Sequence, residues 1–185
     1  MTIESVTLLR NCHATLIPVG DEITLAKGTK YQVTQALGGS VTLRDATALY
    51  RIEPEELDAL GEELMNRVLA ANAVSGESDD KPFGEDRVWD ALRGCFDPEI
   101  PINLVDLGLI YDLRLEKGEN DQYEVAVKMT LTAQGCGMGQ VIAQDAKNRI
   151  EKIPEVDKAE VEIVWDPPWS PRMISEEGKK VLGLT

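Results

Sequence analysis

Histidine and cysteine are scarce in this chain of 185 residues: His13 stands alone, and the three cysteines fall at positions 12, 95 and 136. An odd, widely spaced set of three makes no disulfide framework. That usage predicts a reducing cytoplasm. No C-x-x-C or H-E-x-x-H occurs, so the usual zinc patterns are absent, and without a G-x-x-x-x-G-K-[ST] loop any ATPase has to be a separate partner. No apolar run approaches the ~18 residues of a membrane span. The opening Met1-Thr-Ile-Glu-Ser-Val-Thr-Leu-Leu-Arg10 lacks a basic stretch followed by an apolar one, so it does not read as a secretion signal. Positive charge is short as well: 19 Lys and Arg face 33 Asp and Glu, for a net charge of −14. Such a surface gains no counterion release from nucleic acid and is repelled by anionic membranes. Expected partners are proteins, cations or metals, although solubility alone accounts for much of the acidity.

What is present describes a soluble globular protein, 43% hydrophobic and 28% charged. The length suits one ordinary domain or two small ones, and needs no covalent staples to bury a core. The first 50 or so residues carry short alternating stretches, Lys30-Tyr-Gln-Val-Thr-Gln35 and Val41-Thr-Leu-Arg44, between turn pairs such as Gly20-Asp21 and Gly38-Gly39. These predict a small β-rich module, barrel-like in its turn spacing. Glu53-Pro54-Glu55-Glu56 opens a helix whose Leu57, Leu60, Leu64 and Val68 form one stripe. Residues 1–75 therefore read as a β-rich module with a terminal helix, 76–84 as a linker, and 85–185 as a second domain.

The second domain reads as helix, strand, strand, helix, strand, helix: α/β (α+β) in class, with a compact mixed three-stranded sheet. A helix opens at Glu85 and stops at Asp97-Pro98, with Val88, Ala91, Leu92 and Cys95 on one face. Leu109, Tyr111, Leu113 and Leu115 alternate along one strand, and Lys117–Asp121 forms a hairpin loop. Tyr123, Val125, Val127, Met129 and Leu131 mark the next strand, with Thr130 and Thr132 on its other side. A helix follows from about Met138, then a strand through Val161, Ile163 and Trp165, then a short helix from Ser175 to Gly183.

Chemistry gathers in Met129-Thr-Leu-Thr-Ala-Gln-Gly-Cys-Gly-Met-Gly-Gln140, which leaves a strand, turns on glycines and enters a helix. Cys136 at or just before a helix N-terminus is expected to be partly thiolate, the form that attacks electrophiles and binds soft metals. A lone cysteine more often packs beneath a helix, but Gly135 and Gly137 leave this sulfur uncovered. Cys95 reads as core. Cys12 and His13 alternate on a strand, so they point to opposite faces and read as structural.

Four motifs in order carry a family resemblance: Asp97-Pro-Glu-Ile-Pro101, Val105-Asp-Leu-Gly-Leu-Ile-Tyr-Asp112, Met129-Thr-Leu-Thr132 with Cys136, and Trp165-Asp-Pro-Pro-Trp169. Residues 85–184 closely resemble the small α/β iron–sulfur maturation family, found also at the N-terminus of Mrp-type carriers and in PaaD-like proteins. The preceding segment resembles the extension of its SufT-type members. One departure is Gly137, where many family members have proline; it predicts a looser local geometry. The resemblance implies a site formed by Asp97, Glu99, Thr132 and Cys136, with partners among iron–sulfur assembly proteins and client apoproteins. The residues themselves leave alternatives open. Asp97 also suits a helix end, Thr132 either bonds the sulfur or lines a strand, and Trp169 caps the site, docks a partner or covers its own core.

A cluster normally takes four protein ligands, and this domain offers one good thiolate. A stably bound cluster within one chain is therefore not expected. What is left is a cluster bridged in a homodimer, a weakly held iron, or transient handover through Cys136; handover or adaptor action, without catalysis, is the favoured reading. A cysteine hydrolase or acyl transferase is the rival, weakened because the sole histidine lies in the other module. A pure binding module acting through Trp169 is the third.

Overall fold

Six short strands form where Thr, Val and Leu alternate between glycine turns: β1 (Ser5–Thr7), β2 (Cys12–Ile17), β3 (Glu22–Leu25), β4 (Lys30–Leu37), β5 (Ser40–Arg44) and β6 (Leu49–Ile52). They belong to a computed structural model that describes residues 4–74, 83–118 and 121–184. The strands make one antiparallel sheet in the order β1-β4-β5-β6-β2-β3. Gly38 and Gly39, at φ of 61° and 77°, form the two-residue turn between β4 and β5. Only a pair tolerant of positive φ closes so short a hairpin with the right twist. The ladder ends at β1 and β3, which do not pair among the described residues, so the expected barrel is not closed by hydrogen bonds. Leu8, next to β1, instead bonds the turn before β4, through Thr29 O at 3.0 Å and Gly28 N at 2.8 Å.

One helix was expected after the sheet, and two pieces are found. A 3₁₀ turn spans Pro54–Leu60 and α1 spans Glu62–Val74, separated by Gly61 at φ 97°, outside helical range. The apolar stripe survives the break: Leu57, Leu60, Leu64 and Val68 are all buried with Val41, Leu43 and Ile52 of the sheet. Each such side chain stabilises by about 1.5–3 kcal/mol.

Along the chain, two units are distinguished: Met1–Ser75 with Pro98–Pro101, and Gly76–Asp97 with Ile102–Thr185. The linker expected over 76–84 lies largely outside the described residues, as does part of the 117–121 loop.

The second unit contains α2 (Glu85–Arg93), β7 (Ile110–Lys117), β8 (Tyr123–Met129), α3 (Gly139–Glu151), β9 (Val156–Ile163) and α4 (Glu176–Leu182). Its sheet runs β7-β8-β9, with β7 antiparallel and β9 parallel to β8. Parallel neighbours require a crossover, and α3 supplies it. Val125, Val127, Met129 and Ala159 are buried, whereas Glu124, Ala126 and Lys128 are exposed, so one face is covered and the other meets water. Two expectations are corrected here. β9 stops at Ile163, because Asp166-Pro167-Pro168 cannot continue a ladder, and Trp165 is therefore outside the strand. Thr130 turns inward, 1% exposed, because β8 ends at Met129 and the Thr130 N–H bonds Leu109 O instead.

Candidate functional site

Three strand ends meet at one end of the second unit's sheet. β7 starts beside the end of β8, with Ile110 opposite Met129, and β9 ends beside it, with Ile163 opposite Met129. The segments leading into β7, out of β8 and out of β9 therefore emerge together. Loops at strand ends on a rigid sheet are the usual place for binding chemistry.

The loop out of β8 carries Cys136. Gly135 takes φ +80° with open space around it, a conformation glycine adopts freely. The Cys136 carbonyl then accepts from Gly139 N at 3.1 Å, and Gly139 begins α3. A Cβ on Gly139 would stand 2.5 Å from Leu131 Cδ1 and 3.5 Å from Ile163 Cδ1, so the helix start lies directly on the strand ends. Cys136 thus precedes the first turn of α3, outside the helix itself.

Cys136 is half-buried, whereas Cys12 and Cys95 are 0% and 1% exposed. Burial, with Glu56 nearby, pushes the Cys12 thiol up to about 11. Its neighbour His13 is exposed, with its backbone N–H on Glu56 Oε2 at 3.2 Å, so the two side chains do diverge. Cys95 gives its S–H to Ala91 O.

Asp97, Thr132 and Cys136 belong to the second unit, while Glu99 is grouped with the first. Asp97 is 7% exposed, and its backbone N–H bonds Ile102 O at 3.2 Å, where the chain doubles back through the Phe96–Asn103 bridge. Thr132 is half-buried and makes no hydrogen bond to the Cys136 sulfur. Among the described residues no three His, Cys, Asp or Glu side chains are grouped to hold a metal ion.

Out of β9 come two tryptophans with different surroundings. Trp169 is half-buried and its indole N–H donates to Leu107 O at 2.8 Å. Trp165 is 39% exposed, and Pro167 and Pro168 are exposed beside it. Trp165 was expected in the strand; the double proline two residues later is the sign that it stands clear.

Comparison with known proteins gives a consistent neighbourhood. The model of the iron–sulfur cluster assembly protein family matches residues 85–163. The Fe-S protein maturation auxiliary factor SufT of Staphylococcus aureus is 42% identical over 89 residues, 48% of this chain and 97% of the relative. The auxiliary factor YitW of Bacillus subtilis is 34% identical over 100 residues, 54% of this chain and 94% of the relative. Among solved structures, a domain of unknown function from Bacillus anthracis is 36% identical, with a TM-score of 0.49, over 55% of this chain and 92% of that one.

Proposed function

We propose that this chain, which belongs to the iron–sulfur cluster assembly protein family, is a maturation factor that takes iron or a preformed cluster onto Cys136 and passes it to client apoproteins. One observation carries the reading: of the three cysteines only Cys136 escapes burial, on a glycine loop at the sheet end where the strand exits meet. The iron or cluster is cargo. Loading forms an iron–sulfur bond at Cys136 Sγ as the thiol proton leaves for solvent and a donor ligand or water leaves the same iron. Handover breaks that bond as a client thiolate takes its place on the same iron, and Sγ regains a proton. No electron changes hands.

The ligand count makes the holding transient. A cluster needs about four ligands, and Cys12 and Cys95 are buried, so the others come from a donor, a client or a second copy in a homodimer. Thr132, in the loop itself, and Asp97 of the same unit are candidates to shape the site, whereas Glu99 is grouped with the first unit. Trp169 and the exposed Trp165 are candidates for partner contact, because indoles on rigid turns make good anchors. The second unit contains no histidine of its own to activate a thiol nucleophile. That supports binding and release over catalysis. The reading places the protein in the cytoplasm, where thiols stay reduced; among the described residues no helix is long and apolar enough to cross a membrane.

In cells lacking the chain, the activity of cluster-dependent client enzymes is expected to fall. The intact chain should restore it, and Cys136→Ser at equal abundance should not. Full restoration by Cys136→Ser would overturn the reading.

A further inference from the structure

The segment after β9 is tied to the turn before β7 by bonds that converge on Asp106. Ser175 Oγ donates to Asp106 Oδ1 at 2.7 Å, and Ser175 N donates to the Asp106 carbonyl at 2.8 Å. On the other side Asn103 Nδ2 donates to Asp106 Oδ2 at 2.7 Å, while Asp106 N donates to Asn103 Oδ1 at 2.8 Å. Ser175 Oγ also accepts from Gly178 N at 3.0 Å, so the group that binds Asp106 also caps α4. Further along, Trp169 Nε1 donates to Leu107 O and Tyr111 OH to Pro167 O, each at 2.8 Å. The backbones themselves touch: a Cβ on Gly108, at φ +71°, would lie 2.2 Å from Met173 O, and one on Gly178 would lie 2.9 Å from Asp106 O.

The other end of this segment borders the Cys136 loop. Val164 N donates to Met129 O at 2.7 Å, and Ile163 stands by Leu131 and Gly139, which flank that loop. We propose that Asp106 is a positioning residue for the Cys136 site: it clamps the segment from Val164 to Leu182 across the sheet end and so sets how far the sulfur is open. The proposal rests on reading Cys136 as the working residue. A carboxylate suits the task, because it accepts two charge-assisted bonds at once, and its loss strands both donors.

The test uses the full chain with Asp106→Ala, Asp106→Asn and Ser175→Ala. Amide hydrogen exchange reads residues 164–182, and iodoacetamide labelling reads Cys136 against Cys95 as an internal control. Asp106→Ala is expected to speed exchange in that segment about tenfold and labelling of Cys136 about threefold, with Cys95 unchanged. Asp106→Asn, which keeps one acceptor oxygen, should recover part of both effects. General loosening would speed Cys95 equally, and that result would overturn the proposal. So would faster exchange with no change at Cys136. If Asp106→Ala does not fold, Ser175→Ala must show the same pair of changes, and unchanged values there count against the clamp. Neither readout involves cargo. A working clamp in a chain that fails to mature clients would sink the proposed function and leave this inference standing.

Discussion

A thiol alkylates only when a reagent reaches it and the thiolate is available. Cys12 and Cys95 fail the first condition, at 0% and 1% exposed, and Cys12 is also pushed up to about 11. Iodoacetamide at neutral pH is therefore expected to label Cys136 at least about tenfold faster than either. Mass spectrometric rates that put Cys12 or Cys95 level with Cys136 would contradict the site assignment. A second residue offers a pH test in the first unit. Asp45 accepts from Thr47 Oγ1 and Thr47 N, each at 2.7 Å, from Tyr50 OH at 2.8 Å and from Ala48 N at 2.9 Å. The Thr47 hydroxyl chiefly, with the other donors, lowers its pKa from the ordinary 3.8 to about 2. A depressed carboxylate contributes stability above its unfolded pKa and loses it as pH falls through the folded one. The stability gap between the intact chain and Asp45→Asn should thus be full at pH 6 and close between about 4 and about 2. Urea unfolding at each pH measures it; a gap that widens on acidification would refute the assignment. At this scale the incomplete burial of Cys136 was legible in the sequence because glycines bracket it. Asp106 was not: its role depends on Ser175, 69 positions away, which no local pattern displays.

Elements were legible wherever one period ran uninterrupted. Val125, Val127 and Met129 alternate cleanly and form β8, and Ser175 and Gly183 bracket α4 as caps. Errors arose where one residue breaks a period. Gly61 cuts a helix without disturbing its apolar stripe, and a register shift between Ile110 and Asp112 interrupts the start of β7. Two glycines with similar φ make a test of packing against conformation. Gly108 has φ +71° and no room, while Gly135 has φ +80° and open space. Gly135→Ala should cost only the conformational term, about 1–2 kcal/mol. Gly108→Ala adds a clash with backbone and should cost on the order of 3 kcal/mol or more. All three tryptophans, at 89, 165 and 169, lie in the second unit, so their fluorescence during urea unfolding follows that unit alone. Equal costs would mean that the Gly108–Met173 approach is not rigid.

The whole molecule joins a family domain to an additional β-rich unit. The auxiliary factor of S. aureus is matched over 97% of its length by 48% of this chain, so half of this sequence suffices for a complete relative. On that ground a fragment starting near Asp80 is expected to stay folded and keep a reactive Cys136, yet fail in cells if the first unit serves partner recognition. Circular dichroism and labelling check the first part; an unfolded fragment would show that the units share one core. The central claim is that Cys136 carries cargo and releases it. Its most direct test is anaerobic transfer: a labile cluster donor, an apoprotein acceptor and substoichiometric chain, with cluster arrival followed by visible absorbance. The intact chain should accelerate transfer over many turnovers, and Cys136→Ser should lose at least about tenfold of that acceleration. Transfer by Cys136→Ser at the rate of the intact chain would contradict the account.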